Sequence, residues 1–186
     1  MDKTAIEHWS PVIGGQFWWT GLIFVLIFVP LMIFLGSKIS SKQRDMVLYG
    51  MGIYQLGNKA LTQIGYIFSD NYIIASNLPL HLCGLSGILA GIVVFYRKQI
   101  LFEFLYFFGL VGFIHSVLTP EFTGGVSSWK IFDYYVGHSM LIIIPVWLMK
   151  YYELRLRHNA WWTSFIYLQL IAVSYTHLTL PTTSCG

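Results

Sequence analysis

A cysteine thiol and several histidine imidazoles could carry out chemistry together in this 186-residue sequence. A thiol becomes a nucleophile at neutral pH when a neighbouring base removes its proton. Cys83 is the candidate nucleophile, and His138 or His115 is the candidate base. This combination of residue types is typical of acyl transfer through a thioester intermediate.

Other polar residues within apolar segments could surround these catalytic groups. The candidate substrate-binding residues are His81, Asn58, Lys59, Gln63, Asp133 and Tyr134. Tyr134 lies four residues before His138, so a helix would place both on one face, where Tyr134 or Asp133 could orient the imidazole. The amine and amide side chains could stabilise a developing oxyanion. Two simpler roles stay open: Lys59 as an ion-pair partner of Asp133, and Cys83 as a small packing residue.

A metal site and a transport site are alternative uses of the same residues. Three histidines and Cys83 are acceptable zinc ligands, but the sequence has no close His-x-x-His or Cys-x-x-Cys pair. His81 and Cys83, two residues apart, would point to opposing sides of a helix. We therefore predict no metal and no other cofactor. Polar residues near the midplane would suit a transporter, although six segments without a repeat argue against the common transporter folds.

The composition indicates that lipid surrounds the chain. Hydrophobic residues make up 56% of the sequence and charged residues 10%, whereas soluble domains contain roughly 25% charged residues. A soluble fold of this size could not bury so much apolar surface, so membrane lipids are the expected partners. The net charge of +3 does not indicate nucleic-acid binding, because the basic residues lie between apolar runs rather than in one patch.

Six apolar segments must position the polar residues. They are 17–36, 46–68, 78–96, 100–118, 131–149 and 161–172. We predict an all-α, polytopic helix bundle that forms one domain over residues 1–172, with six transmembrane segments of which the last is truncated. At a rise of about 1.5 Å per residue, Cys83 and three histidines lie within about 10 Å of one membrane face, with Lys59 near mid-depth. This depth distribution predicts a polar pocket.

The basic residues predict the orientation in the cell membrane. Eight lysines and arginines lie in the segments 37–45, 97–98 and 150–160, whereas only Lys3 and Lys130 lie on the other side. The richer side should be cytoplasmic, which places the N-terminus outside and opens the pocket outward. Tryptophans near the segment ends, including Trp147, are expected to keep their rings in the headgroup region with a hydrated N–H.

The last residues have the pattern of non-native sequence. Residues 173–178 are the translation of GTC TCT TAT ACA CAT CT, the transposon end used to prepare sequencing libraries. The apolar run that begins at Trp161 stops at the same point, after twelve residues. We therefore expect residues 173–186 to derive from adapter read-through and the natural protein to continue past Ala172, a natural polar tail being the alternative.

Three spaced motifs resemble a known family. They are Asn-Leu-Pro-Leu-His-Leu-Cys at 77–83, His-Ser-Val-Leu-Thr-Pro-Glu at 115–121 and Tyr-Tyr-Val-Gly-His at 134–138. Together they are similar to the YwaF-like bacterial integral membrane proteins, over nearly the whole chain up to residue 172. The resemblance implies a relation to a vertebrate transmembrane acyltransferase that makes polyunsaturated ether phospholipids with a cysteine and a histidine. Carried over, the cysteine falls on Cys83 and the histidine on His138, with His115 the weaker match.

The leading hypothesis is therefore a phospholipid acyltransferase with a Cys-His dyad in an outward-facing pocket. The alternative is a non-enzymatic transporter or small-molecule-binding membrane protein that uses the same pocket. Replacement of Cys83 by serine separates them, because an enzyme of this kind should lose nearly all turnover while a binding pocket should tolerate the change.

The charge distribution makes a direct prediction about topology. In a cysteine-free background, a cysteine at Ser40 should react with a membrane-impermeant maleimide only after intact cells are permeabilised, because the bilayer blocks the reagent. A cysteine at Lys130 is the matched control and should react in intact cells. Labelling of position 40 in intact cells would contradict the orientation.

Overall fold

The structure is a computed structural model that describes residues 8–68, 82–123 and 127–179. Within these ranges the chain forms six helices, α1 (Gln16–Lys38), α2 (Ser41–Ile67), α3 (Leu82–Tyr96), α4 (Gln99–Leu118), α5 (Ser128–Tyr151) and α6 (Ala160–Thr179). Two short strands, β1 (His8–Trp9) and β2 (Phe122–Thr123), pair antiparallel, with Trp9 opposite Phe122. The predicted all-α class is confirmed, apart from this two-residue bridge. The predicted third segment begins at residue 78, so its first residues lie outside the described ranges.

Three of the helices, α1, α4 and α5, are long and apolar enough to cross a bilayer. Shorter apolar stretches occupy Cys83–Tyr96 in α3 and Ala160–Val173 in α6. Large apolar side chains also cover the outward face of α1, where Leu26, Ile27 and Phe34 are exposed. An exposed apolar surface of this extent is typical of a protein that contacts lipid. The chain is therefore a membrane protein.

Helix α5 lies at the centre of the bundle and contacts α1, α2, α3 and α4. Its side chains Ile143, Ile144 and Leu148 are fully buried in the main core. The Trp147 ring is also only 1% exposed, and a Cβ at Gly36 of α1 would come within 2.6 Å of it. The expectation that Trp147 lies in the headgroup region is therefore wrong. The missing side chain at Gly36 lets the indole pack inside the bundle.

Small residues bring α2 and α3 together. A Cβ at Gly91 of α3 would lie 2.4 Å from the Leu56 side chain and 3.1 Å from the Gly52 carbonyl oxygen of α2. At Gly87, one turn earlier, a Cβ would lie 2.7 Å from Cε of Lys59. Side chains larger than hydrogen would separate the two backbones, as at other helix contacts in membranes. The glycines therefore place the polar face of α2 directly against α3.

A buried carboxylate fastens the end of the bundle that carries most basic residues. Glu103 of α4 is 1% exposed, and Arg157 donates to it from Nε at 2.9 and 3.1 Å, from Nη2 at 2.7 Å and from its backbone N–H at 3.0 Å. Gln99 donates a further hydrogen bond at 2.7 Å. These hydrogen bonds raise the pKa of Arg157. In the sequence, Glu103 lies near the basic residues Arg97 and Lys98, so either would be the expected partner, and that expectation is wrong.

A second polar contact at this end holds the turn between α3 and α4. Arg97 pairs with Asp45 at 3.2 Å and lies 4.2 Å from the ring centroid of Tyr152. Tyr152 in turn donates to Asp45 at 2.6 Å. Burial and this hydrogen bond raise the pKa of Tyr152 to about 12. Arg97 is therefore engaged with α2 and with the end of α5, which explains why it is not available to Glu103.

The Glu103–Arg157 contact predicts a specific loss of stability. Arg157→Ala leaves the buried Glu103 carboxylate without its charged partner and should lower the midpoint of thermal unfolding, by less than for a fully enclosed pair because Arg157 is 50% exposed. The measurement is thermal and denaturant unfolding in detergent. Lys98→Ala, on the exposed surface nearby, is the control and should change little. Glu103→Gln should recover part of the stability in the Arg157→Ala background; an additive double variant would refute the pairing.

Candidate functional site

A cavity of about 670 Å³ lies between α2, α3, α4 and α5. Seven of the nine residues predicted from the sequence line it: Asn58, Lys59, Cys83, His115, Asp133, Tyr134 and His138. Gln63 lies on α2 but does not line the cavity, and His81 falls outside the described residues. Four helices thus contribute polar side chains to one space.

A carboxylate on α5 links this helix to α2. Asp133 accepts a hydrogen bond from the Tyr54 hydroxyl at 2.5 Å and from the Asn58 amide at 2.8 Å to each oxygen. One turn along each helix, the Gln55 amide donates to the Gly137 carbonyl oxygen at 2.7 Å. The Asp133 carboxylate therefore joins two helices and does not contact the imidazole of His138.

Helix α5 also orients its own histidine. Nδ1 of His138 lies 2.7 Å from the carbonyl oxygen of Tyr134, one turn earlier, and the two rings are 4.3 Å apart. Because a carbonyl oxygen only accepts, Nδ1 carries the proton, and Nε2 of the neutral ring carries the lone pair. The sequence suggested Tyr134 or Asp133 as the orienting group, and the structure gives this contact to the Tyr134 backbone.

The Tyr134 hydroxyl is itself held from α4 and the segment that follows it. It donates to the Ser116 carbonyl oxygen at 3.1 Å and accepts from the backbone N–H of Glu121 at 3.4 Å. Its ring packs 4.6 Å from Phe122, which lines the cavity and pairs through β2 with Trp9. The aromatic ring that packs against His138 is therefore fixed by contacts from α4 and from β2.

Cys83 is half-buried where α3 meets α4. Its Sγ lies 3.6 Å from the position that a Cβ at Gly112 would occupy, which is ordinary van der Waals contact. The third helix packs against the fifth, as a Cys83–His138 dyad requires. Among the side chains that the structure describes, no hydrogen bond joins this thiol to an imidazole. The thiol and the imidazoles thus share a cavity without a direct bond.

The Lys59 side chain extends from α2 to the face of α3 that carries Cys83. A Cβ at Gly87, one turn after Cys83, would lie 3.7 Å from the Lys59 Nζ. The ammonium is close enough to interact electrostatically with both Cys83 and Asp133. Among the described ion pairs it has none with Asp133, so the pairing that the sequence left open is not formed; that carboxylate accepts hydrogen bonds from Tyr54 and Asn58.

His115 lies in the last turn of α4 and is less enclosed. Its side chain lines the cavity but is exposed, and its carbonyl oxygen accepts the backbone and hydroxyl bonds of Thr119, each at 2.9 Å. Within the described ranges, no group of three or more histidine, cysteine and acidic residues could hold a metal ion. The cavity offers the Cys83 thiol, two imidazoles and the amines of Lys59 and Lys130 as its reactive groups.

Sequence reasoning missed Tyr54, Ser116 and Lys130 as residues of the site. Lys130 lines the outer part of the cavity, and Ser116 receives the Tyr134 hydroxyl. A signal for Tyr54 was present, because it lies four residues before Asn58 and so shares the helix face that meets Asp133. Ser116 acts through its backbone carbonyl, which no side-chain pattern can indicate.

The carboxylate that joins α2 and α5 predicts a measurable loss of stability. Asp133→Ala removes the acceptor of both the Tyr54 hydroxyl and the Asn58 amide, which should cost about 2–3 kcal/mol of unfolding free energy. Asp133→Asn keeps one oxygen acceptor and should fall between wild type and alanine. Thr62→Ala, which removes only a bond to its own helix, is the control. Thermal unfolding in detergent is the measurement, and a wild-type midpoint for Asp133→Ala would show that this contact is not structural.

Comparison with known proteins assigns the chain to a family. No curated protein sequence and no solved structure matches it. Residues 7–182, by contrast, match the model described as the TMEM164 family, a range that includes every residue of the site. The match also runs over part of the predicted read-through segment, and α6 extends to Thr179, so that assignment stays a prediction. Because nearly the whole sequence matches, the chain belongs to the TMEM164 family.

Proposed function

We propose that this protein crosses the cell membrane six times, with its N-terminus outside, and transfers acyl chains between phospholipids through a thioester on Cys83. The observation that carries the proposal is the shared cavity, in which the Cys83 thiol and the His138 imidazole face one space of about 670 Å³. The function implied by the sequence resemblance agrees with these residue types. No cofactor is needed, because the acyl donor is itself an ester.

The first half-reaction loads the enzyme. Nε2 of His138 accepts the thiol proton, and the sulfur of Cys83 attacks the ester carbonyl of the donor lipid. A carbon–sulfur bond forms, the carbon–oxygen bond of the ester breaks, and the leaving alkoxide takes the proton from the imidazolium. The products of this step are an acylated Cys83 and a lysolipid with a free hydroxyl.

The second half-reaction unloads the acyl chain. His138 accepts the proton of an acceptor hydroxyl, whose oxygen attacks the thioester carbonyl. A new carbon–oxygen ester bond forms, the carbon–sulfur bond breaks, and the proton returns to the Cys83 sulfur. The Tyr134 carbonyl supports both halves, because its bond to Nδ1 fixes the tautomer in which Nε2 is the base.

The oxyanion formed in each half-reaction needs a donor near Cys83. Asn58 is poorly suited, since its amide already donates to both oxygens of Asp133, and Gln63 does not line the cavity. Lys59 is the better candidate, because its ammonium lies beside the α3 face that carries Cys83. Preorganised positive charge at this position would lower the barrier of both steps.

A non-enzymatic function is the second candidate. The observation in its favour is that, among the described residues, the thiol has no hydrogen bond to an imidazole. A cavity lined by amines, amides and carboxylates could bind or move a small molecule without covalent chemistry. In that case Cys83 would line the cavity without taking part in a reaction.

The proposal predicts that catalysis depends on both partners of the dyad. Purified protein in vesicles that contain isotopically labelled donor lipid should show an acyl mass increase on Cys83 that hydroxylamine removes. Cys83→Ser should reduce product formation by at least about 10³-fold, and His138→Ala by about 10²–10⁴-fold, since a positioned base contributes that much.

Two matched variants test whether these effects are specific. Cys185→Ser removes the second cysteine of the sequence, and His158→Ala removes an exposed histidine before α6; both should keep wild-type turnover. Full turnover by Cys83→Ser would reject the thioester mechanism. Absence of both product and acyl-enzyme in the wild type, together with retained lipid binding, would favour the second candidate.

A further inference from the structure

We infer that Lys59 forms an anion-binding position inside the cavity and that the ligand carries a phosphate or carboxylate on an amphiphilic chain. The inference deepens the proposed function, because it specifies the charge of the group that binds beside Cys83. It rests on the placement of one cation relative to its surroundings. The position is distinct from the outer rim, where exposed Lys130 and Glu121 line the cavity.

Among the residues that the structure describes, the Lys59 ammonium has no counter-ion close enough to pair with it. In the described ranges no hydrogen bond or ion pair within 4.0 Å reaches Nζ. Asp133 interacts with it only over a longer distance, and both oxygens of that carboxylate already accept hydrogen bonds from α2. The short contacts of the side chain are instead with the bare α3 backbone at Gly87.

An unpaired ammonium at this depth is costly for the folded protein. Charges within a bilayer usually face a cavity and find a partner, because desolvation penalises them otherwise. A ligand oxyanion would supply that partner and would form charge-assisted hydrogen bonds to Nζ. An ammonium has three donors, so a bound anion and the oxyanion of the proposed reaction can share it.

The geometry also selects the kind of ligand. Lys59 lies behind the rim of the cavity, on a helix whose outward residues Leu61 and Ile64 are exposed and apolar. A ligand that reaches Nζ therefore places its acidic head in the cavity while an apolar chain can remain in lipid. Phosphate and carboxylate share the required chemistry, and they differ in whether the anion comes from a lipid headgroup or from a free fatty acid.

The test measures binding in the Cys83→Ser protein, in which acyl transfer is absent. In a neutral detergent, ligand-induced stabilisation is compared within two matched pairs: lysophosphatidic acid against monoacylglycerol, and oleate against oleyl alcohol. Each pair shares its chain and differs in the anionic group. We expect the anionic member of at least one pair to bind on the order of tenfold tighter. Inorganic phosphate is added as a third probe to test whether the headgroup binds alone.

Substitutions then assign the preference to one residue. Lys59→Met and Lys59→Gln should each abolish the preference for the anionic ligand, whereas Lys59→Arg should retain most of it. Lys42→Met, which removes an exposed lysine at the other end of α2, is the control and should bind like the parent. Without ligand, Lys59→Met should melt at the same temperature as the parent or higher, because an unpaired charge has been removed.

The outcomes separate this inference from the proposed function. Equal binding within both pairs, or a preference that survives Lys59→Gln, overturns the inference whatever the turnover of the wild type. A lower melting temperature for ligand-free Lys59→Met and Lys59→Gln would also overturn the inference, since the ammonium would then stabilise the folded protein. A preference for lysophosphatidic acid assigns the site to a lipid phosphate, and a preference for oleate alone assigns it to a carboxylate. The proposed acyl transfer is tested separately, by comparing the turnover of Cys83→Ser with that of the wild type.

Discussion

The hydrogen bonds between Asp133 and α2 determine how the polar half of this bundle is arranged. In a lipid environment a buried carboxylate must find its partners within the protein, and Tyr54 and Asn58 supply them. This contact fixes the rotation of α2 about its axis. Successive residues of a helix point about 100° apart, so Lys59, which follows Asn58, points to the side of α2 that meets Gly87 of α3. The position of the cation beside Cys83 thus follows from a contact that does not involve it.

At the opposite end of the bundle, another carboxylate accepts hydrogen bonds from a distant segment of the chain. Glu103 is as thoroughly buried as the apolar core, and Arg157 meets it with a planar guanidinium that binds both carboxylate oxygens. Between these two polar contacts, the α5 side chains Ile143 and Leu148 form an apolar middle. In the part of the chain that the structure describes, Cys83, His115 and His138 all line the cavity at the Asp133 end of the bundle.

The sequence predicts the helices well because hydrophobic length is a local property. Every predicted segment overlaps a helix in the described ranges, and seven predicted residues do line one cavity. Partner choice is a different problem, since Glu103 and Arg157 are more than fifty residues apart in the chain. The nearer Arg97 was the reasonable expectation, and it fails because Asp45 and Tyr152 already hold that side chain. The burial of Trp147 likewise depends on Gly36, a residue of another helix.

The reactive groups are held independently of one another, and this limits how they can work together. His138 is oriented by the contact of its Nδ1 with the Tyr134 carbonyl and by the Tyr134 ring, which contacts from Ser116 and Phe122 hold in place. Cys83 belongs to α3, and the missing side chain at Gly112 of α4 leaves room beside its sulfur, since a Cβ there would lie 3.6 Å away. The thiol and the His138 imidazole both line the cavity between α2, α3, α4 and α5. In the proposed reaction, a lipid that enters this space beside Lys59 would meet both groups, and the packing of α3 against α5 would set the distance between them.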